Sequence, residues 1–138
     1  MKKFFIILLI SQFIFSGYSC KKTIEDKKEN FVIDMLTKGD WYIDEFTISG
    51  ADSAVIFKEY SFRFDKTGGV KFFYYTTTGE GTWKENLETY TITTNFPSVE
   101  KPVSLLNSEW KIIRGYLNFC EAKTFKDGEN LYMMLRKK

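Results

Sequence analysis

Hydrophobic and polar residues alternate with a period of two along most of the chain after residue 40. Such alternation places successive side chains on opposite faces of a strand. The alternating segments are also rich in the β-branched and aromatic residues that strands favour. They predict about eight strands: WYIDEFTI from Trp41, AVIFKEYSFRF from Ala54, GVKFFYYTT from Gly69, GTWKE from Gly81, TYTITT from Thr89, EWKII from Glu109, YLNFCE from Tyr116 and ENLYMMLRK from Glu129.

The connections between these segments favour antiparallel neighbours. DKTGG at 65–69 and KDGE at 126–129 contain the Asp and Gly residues of tight turns. Residues 95–108 contain Pro97 and Pro102 and predict a longer loop, because proline interrupts strand pairing. A meander of eight strands removes its exposed edges when it closes. The sequence therefore predicts an all-β fold, an eight-stranded antiparallel up-and-down barrel with a short N-terminal helix.

The residues before the first strand predict that helix and a tether. Phe31, Met35 and Leu36 are spaced for one face of a helix, and Gly39 stands where the helix would end. The preceding segment, KKTIEDKKEN at 21–30, is charged and nearly free of apolar residues, so it is predicted to be flexible. We therefore expect a single barrel domain over residues 31–138.

Residues 1–19 have the organisation of a secretory signal peptide. Lys2 and Lys3 precede a mostly apolar run over residues 4–15, and small residues follow it. The run is shorter than the ~20 apolar residues that cross a bilayer. A cleaved signal is therefore favoured over the alternative, an uncleaved membrane anchor.

Cys20 directly follows this segment. The sequence SGYSC at 16–20 resembles the lipobox of bacterial lipoproteins in a relaxed form, since Gly17 stands where an aliphatic residue is usual. The resemblance implies cleavage before Cys20 and attachment of lipid to its thiol, so that residues 20–30 form a lipidated tether. Two or more acyl chains give stable anchoring. We expect a lipid-anchored protein of the cell envelope, at the outer membrane, and which face of that membrane it occupies stays open.

Cys120 is the second of the two cysteines and lies in the apolar segment LNFCEA. We predict a reduced thiol on a strand, because an unpaired cysteine in such surroundings behaves as a small hydrophobic residue. A disulfide with Cys20 is the alternative, since an exported compartment permits it.

The composition argues against several other functions. The chain has no histidine and no closely spaced cysteines, so neither a metal site nor another cofactor is predicted. It also lacks a G-x-S-x-G motif, and without the commonest general base we do not expect an enzyme. After removal of Lys2 and Lys3 the chain has 18 basic and 18 acidic residues, and it lacks the basic stripe that nucleic acids require.

Several segments carry a family resemblance. GDW at 39–41 resembles the G-x-W motif that opens the first strand of lipocalins, and it follows a predicted short helix as it does there. The segments FRFDKTGG, GTW, EWKI and LYMMLRKK are similar to those of small lipocalin-like lipoproteins of Gram-negative envelopes. The resemblance implies that Trp41 closes one end of the barrel beneath a basic residue from the last strand, for which Arg136 is the candidate.

Strict alternation also predicts which side chains line the interior. With Trp41 inward, it places Glu45, Lys58, Tyr60 and Tyr74 on the inner side toward the opposite, open end. Two hypotheses follow. In one, these four residues orient a small hydrophobic ligand inside the barrel. In the other, bulky residues fill the interior, and the barrel is an interaction or structural module that acts through its outer surface.

Overall fold

The computed structural model describes residues 31–138, in which a short helix precedes an antiparallel sheet that closes on itself. The proposed signal peptide, Cys20 and the tether lie outside the described residues. The helix, α1, covers residues 31–37. The strands are β1 (Trp41–Ile48), β2 (Ala51–Asp52), β3 (Tyr60–Phe64), β4 (Gly69–Tyr74), β5 (Thr77–Asn86), β6 (Thr91–Asn95), β7 (Ser108–Gly115), β8 (Phe119–Lys126) and β9 (Glu129–Lys137).

The barrel closes between its first and last strands. Strand β1 pairs with β9 from Trp41 opposite Lys137 to Ile48 opposite Leu131. On its other side β1 meets β3 through one pair, Trp41 and Phe62, and it also carries the two-residue strand β2. The remaining strands pair in chain order. The prediction of an all-β, eight-stranded antiparallel barrel is confirmed, with β2 as a small addition.

The segment between β2 and β3 departs from the predicted alternation. Ala54–Phe57 form a short 3-10 helix, and β3 starts only at Tyr60. Ile56, which alternation places inside, is exposed, whereas Phe57 is only 1% exposed. Burial of the larger aromatic ring accounts for the difference, because it outweighs continuation of a regular strand.

Helix α1 covers the end of the barrel at which Trp41 lies. It buries Val32, Met35 and Leu36, whereas Phe31, which was predicted on the same face, is exposed. Gly39 follows the helix with a φ of +89°, a conformation that glycine adopts without strain. The prediction of a short helix that ends at Gly39 is therefore confirmed.

Trp41 is completely buried, as predicted, and its Nε1–H donates a hydrogen bond to the carbonyl oxygen of Leu36 at 2.9 Å.

The predicted position of Arg136 over the Trp41 indole is wrong. Leu135 points inward, so Arg136 points outward, where its Nε lies 2.6 Å from Asp44. The next residue, Lys137, places its Nζ 5.2 Å from the centre of the Trp41 ring. A cation from the end of β9 is thus present, one position later than predicted.

We predict that Trp41→Ala lowers the free energy of unfolding by about 3–5 kcal/mol, since it empties a filled core position. Arg136→Ala removes a partly exposed ion pair and is expected to cost only about 0–1 kcal/mol. Urea unfolding of both variants measures the two values. A loss for Arg136→Ala as large as that for Trp41→Ala would contradict the positions of the two side chains.

Candidate functional site

The end of the barrel opposite α1 contains two of the predicted ligand-binding residues. Tyr60 and Tyr74 are paired across β3 and β4, and their rings stack with centroids 4.4 Å apart. Tyr74 is exposed and Tyr60 is half-buried. The structure therefore brings these two tyrosines together at the rim of the barrel.

Glu45 and Lys58 do not face the interior, so their predicted orientation is wrong. In β1 a bulge between Ile43 and Glu45 leaves Asp44 and Glu45 both exposed. A bulge adds one residue to a strand and thereby moves the following side chains to the other face. Lys58 is exposed because it directly follows the 3-10 helix and belongs to no strand.

Aromatic packing closes the end that was expected to be open. Phe57 lies edge-on to Phe46, with ring centroids 4.9 Å apart, and also edge-on to Tyr60 at 5.9 Å. The loop between β6 and β7 reaches the same end and buries Phe96, whose ring centroid is 5.7 Å from that of Phe72. These rings occupy the place where a ligand would enter.

The interior of the described barrel is filled with side chains. Two voids among the inward residues measure about 20 Å³ and 30 Å³. A void of ~10–15 Å³ holds one water molecule, whereas small-molecule sites usually measure ~300–1,000 Å³. Neither void has room for a hydrophobic ligand.

A much larger cavity, of about 710 Å³, is a groove on the outside of the barrel. It crosses β6, β7, β8, β9 and β1 on the outer surface of the barrel. Four inter-strand spacings make it about 19 Å long. Its floor is a row of successively paired outward residues: Thr91, Lys111, Lys123, Tyr132 and Thr47.

The two lysines give the groove its charge. Lys111 and Lys123 lie directly opposite each other on β7 and β8, and both are exposed. Like charges in this arrangement destabilise a sheet. The ion pairs found among residues 31–138 include neither lysine. Glu109 also lines the groove, and Lys111 donates a hydrogen bond to the carbonyl oxygen of Thr89. An anionic ligand in the groove would relieve the repulsion between the two lysines.

A cluster of hydrogen-bonded side chains holds Tyr132 in the floor of the groove. The Tyr132 hydroxyl donates a hydrogen bond of 2.7 Å to Glu121, which also accepts one from Nε of Arg114. The bond from Arg114, followed by that from Tyr132, lowers the pKa of the Glu121 carboxyl. Burial, followed by the bond to Glu121, raises the pKa of Tyr132 to about 12. The phenol is therefore neutral at physiological pH and remains a donor to the carboxylate.

The groove could not be predicted from the sequence, because it depends on how two distant lysines are paired across strands. Lys111 and Lys123 are separated by a β-turn and most of two strands, and only the register of β7 against β8 makes them neighbours. Alternation within EWKII and FCEAKTF does place both lysines on the outer face. The register that places Lys111 opposite Lys123 depends on a bulge between Ile112 and Arg114, and no sequence pattern predicts that bulge.

Residues 31–138 contain neither a metal-binding cluster nor a membrane-spanning helix. In this range no group of three or more His, Cys, Asp or Glu residues is arranged to hold a metal ion. The one helix there is too short to cross a membrane. Cys120 is a free thiol, buried on β8, as predicted.

Comparison with known proteins supports the fold. No protein-family model and no curated protein matches this chain. Among solved structures, the chain is similar to the crystal structure of a DUF4847 family protein from Bacteroides vulgatus ATCC 8482. The two sequences are 16% identical, the TM-score is 0.57, and the match covers 78% of this chain and 97% of that one. At this identity the similarity shows a shared barrel fold.

Glu121 is expected to make the free energy of unfolding depend on pH in the acidic range. Its pKa is lower in the folded state than the ordinary value of 4.5, so its stabilising contribution is complete above that value. The contribution is lost as the pH falls below 4.5 toward the folded-state pKa. We predict that Glu121→Gln flattens this part of the curve of unfolding free energy against pH, measured by urea unfolding. Glu129→Gln, at an exposed position, is the control and should follow the wild-type curve.

Proposed function

We propose that this protein is a lipid-anchored module of the bacterial cell envelope whose solid barrel binds a partner in the outer groove. One observation carries the choice between the two sequence-based hypotheses. The available space is about 710 Å³ on the outer surface, against voids of about 20 Å³ and 30 Å³ inside. A binding function therefore has room outside the barrel and little room within it.

The chemistry of the groove favours an anionic partner. Lys111 and Lys123 place two positive charges side by side, and the hydroxyls of Thr47, Thr91 and Tyr132 continue along the same row. An anion with further hydrogen-bonding groups would meet both features. Its binding would also offset the repulsion between the lysines, which the protein bears when the groove is empty.

The anchor in this proposal rests on the sequence around Cys20. A diacylated cysteine with a further acyl chain anchors a protein stably, whereas a single chain binds only marginally. The resemblance to lipocalin-like lipoproteins supports the same assignment, and the barrel fold agrees with it. The envelope location follows from the lipobox resemblance and belongs to the proposal.

The number of reactive thiols tests the anchor. We expect protein purified from membranes to show no reactive thiol while folded, because Cys120 is buried and its pKa is raised to about 12. In denaturant one thiol should react, since lipid occupies Cys20. Two reactive thiols would mean that Cys20 is unmodified. None before reduction and two after it would mean a disulfide between Cys20 and Cys120.

Charge reversal in the groove tests its role. Lys123→Glu converts the like-charged pair into an opposite pair, so it should raise the free energy of unfolding by about 0.2–1 kcal/mol. Inorganic phosphate at constant ionic strength should raise the melting temperature of the wild type, because a ligand of the folded state stabilises it. The variant should lose this response.

Lys58→Glu is the matched control, since Lys58 is an exposed lysine outside the groove. It should retain the response to phosphate. The opposite pattern would favour the hydrophobic-carrier hypothesis: no phosphate response in the wild type, together with saturable binding of an environment-sensitive apolar dye that Lys123→Glu does not change.

A further inference from the structure

The turn between β7 and β8 exposes apolar residues at its tip. Tyr116 is 54% exposed and Leu117 is 60% exposed. The ring of Tyr116 packs on that of Phe119, with centroids 4.8 Å apart. The guanidinium groups of Arg114 and Arg136 lie 5.6 Å and 5.9 Å from the centre of the Phe119 ring. The hairpin thus combines an apolar tip with aromatic rings and cations at its base.

The hairpin lies beside the helix through which the chain enters the barrel. A Cβ atom on Gly115, the last residue of β7, would lie only 3.0 Å from Sδ of Met35 in α1. Val32 lies one helical turn before Met35, so the start of α1 is close to the hairpin. Residue 31 lies eleven positions after Cys20, and a fully extended chain of that length reaches at most about 38 Å. A lipid on Cys20 would therefore keep the start of α1 within about 38 Å of the bilayer surface.

We propose that the β7–β8 hairpin docks on the lipid surface that holds the anchor, with Leu117 and Tyr116 entering the interfacial region. This inference rests on the lipid anchor of the proposed function. Transfer of the Leu117 side chain from water into the interfacial region is favourable, because it buries apolar surface. Tyrosine is favoured at such a position, since its ring contacts apolar groups while its hydroxyl stays in water. Arginine side chains keep their charged groups at headgroup level while their stems cover apolar surface.

A lipid surface is favoured over a protein partner by the position of the hairpin. The cluster is small, and it lies at the end of the barrel where the chain leaves toward Cys20. The exposed residues on the opposite end, such as Tyr75, lie on the β4–β5 turn, which is the far side of the barrel from α1. Because the tether joins the barrel at α1, we expect the end beside α1 to be the one nearest the membrane.

The test uses the full lipidated chain in vesicles of phosphatidylcholine and phosphatidylglycerol. Leu117→Cys carries a thiol-linked, polarity-sensitive dye, and Phe125→Cys carries the same dye as control. Phe125 is 68% exposed and lies toward the other end of the barrel, at the β8–β9 turn. Cys120 is buried and Cys20 is occupied by lipid in the proposed anchor, so each variant takes up one dye, which mass spectrometry verifies.

Docking predicts a blue shift of the dye at position 117, together with quenching by brominated lipid, and neither effect at position 125. Equal quenching at both positions, or none at either, would overturn the proposal. A blue shift at 117 that brominated lipid does not quench, and that grows with protein concentration, would also overturn it, in favour of contact between two copies of the chain.

Flotation with the vesicles separates this proposal from the proposed function. If the chains float with the vesicles but the dye at position 117 is not quenched, the lipid anchor is supported and docking of the hairpin is excluded. Chains that fail to float, and that carry a second dye on Cys20, refute the anchor itself.

Discussion

The limited width of an eight-stranded barrel is the constraint on which the rest of this structure depends. Such a barrel is just wide enough for side chains that fill it or for one small ligand. Here the space is taken by large rings, since Trp41, Phe46, Phe57, Phe96 and Trp110 are almost completely buried. Two of the indole nitrogens donate to backbone carbonyls within the core, so even the polar atoms of these rings need no ligand. Space for a partner is consequently left to the outer face.

The bulge in β1 places two acidic side chains on the outer face of the barrel. One extra residue between Ile43 and Glu45 lets Phe46 reach the interior while Asp44 and Glu45 stay in solvent. Asp44 then pairs with Arg136 across the closing seam of the barrel. The guanidinium is held outside, and the inward place at the end of β9 falls to Lys137 above Trp41. The bulge thus sets which residues of β1 face solvent, whereas the regular alternation of β9 turns Arg136 outward and Lys137 toward Trp41.

The sequence predicted well what depends on local periodicity. Each of the eight alternating segments contains a strand, and residues such as Ile43, Phe62, Trp83 and Leu135 are buried as alternation requires. The predictions of side-chain orientation failed where a segment predicted as one regular strand contains a bulge or a 3-10 helix. The run from Ala54 opens with four consecutive apolar residues, and these four form a 3-10 helix from which Phe57 packs against Phe46. Phe57 belongs to no strand and reaches Phe46 because the chain folds back after β1, so alternation along a strand does not predict the contact.

The outer face connects the groove and the hairpin through one set of hydrogen bonds. Tyr132 lines the groove and donates to Glu121, and Glu121 accepts from Arg114, which lies over Phe119 at the base of the hairpin. Bonds to an ionised carboxylate are stronger than those between neutral groups. The position of the groove relative to the hairpin is therefore set by side chains as well as by the sheet. If the hairpin rests on a membrane, this network holds the groove at a constant height above it, so an anionic partner meets the two lysines in one orientation.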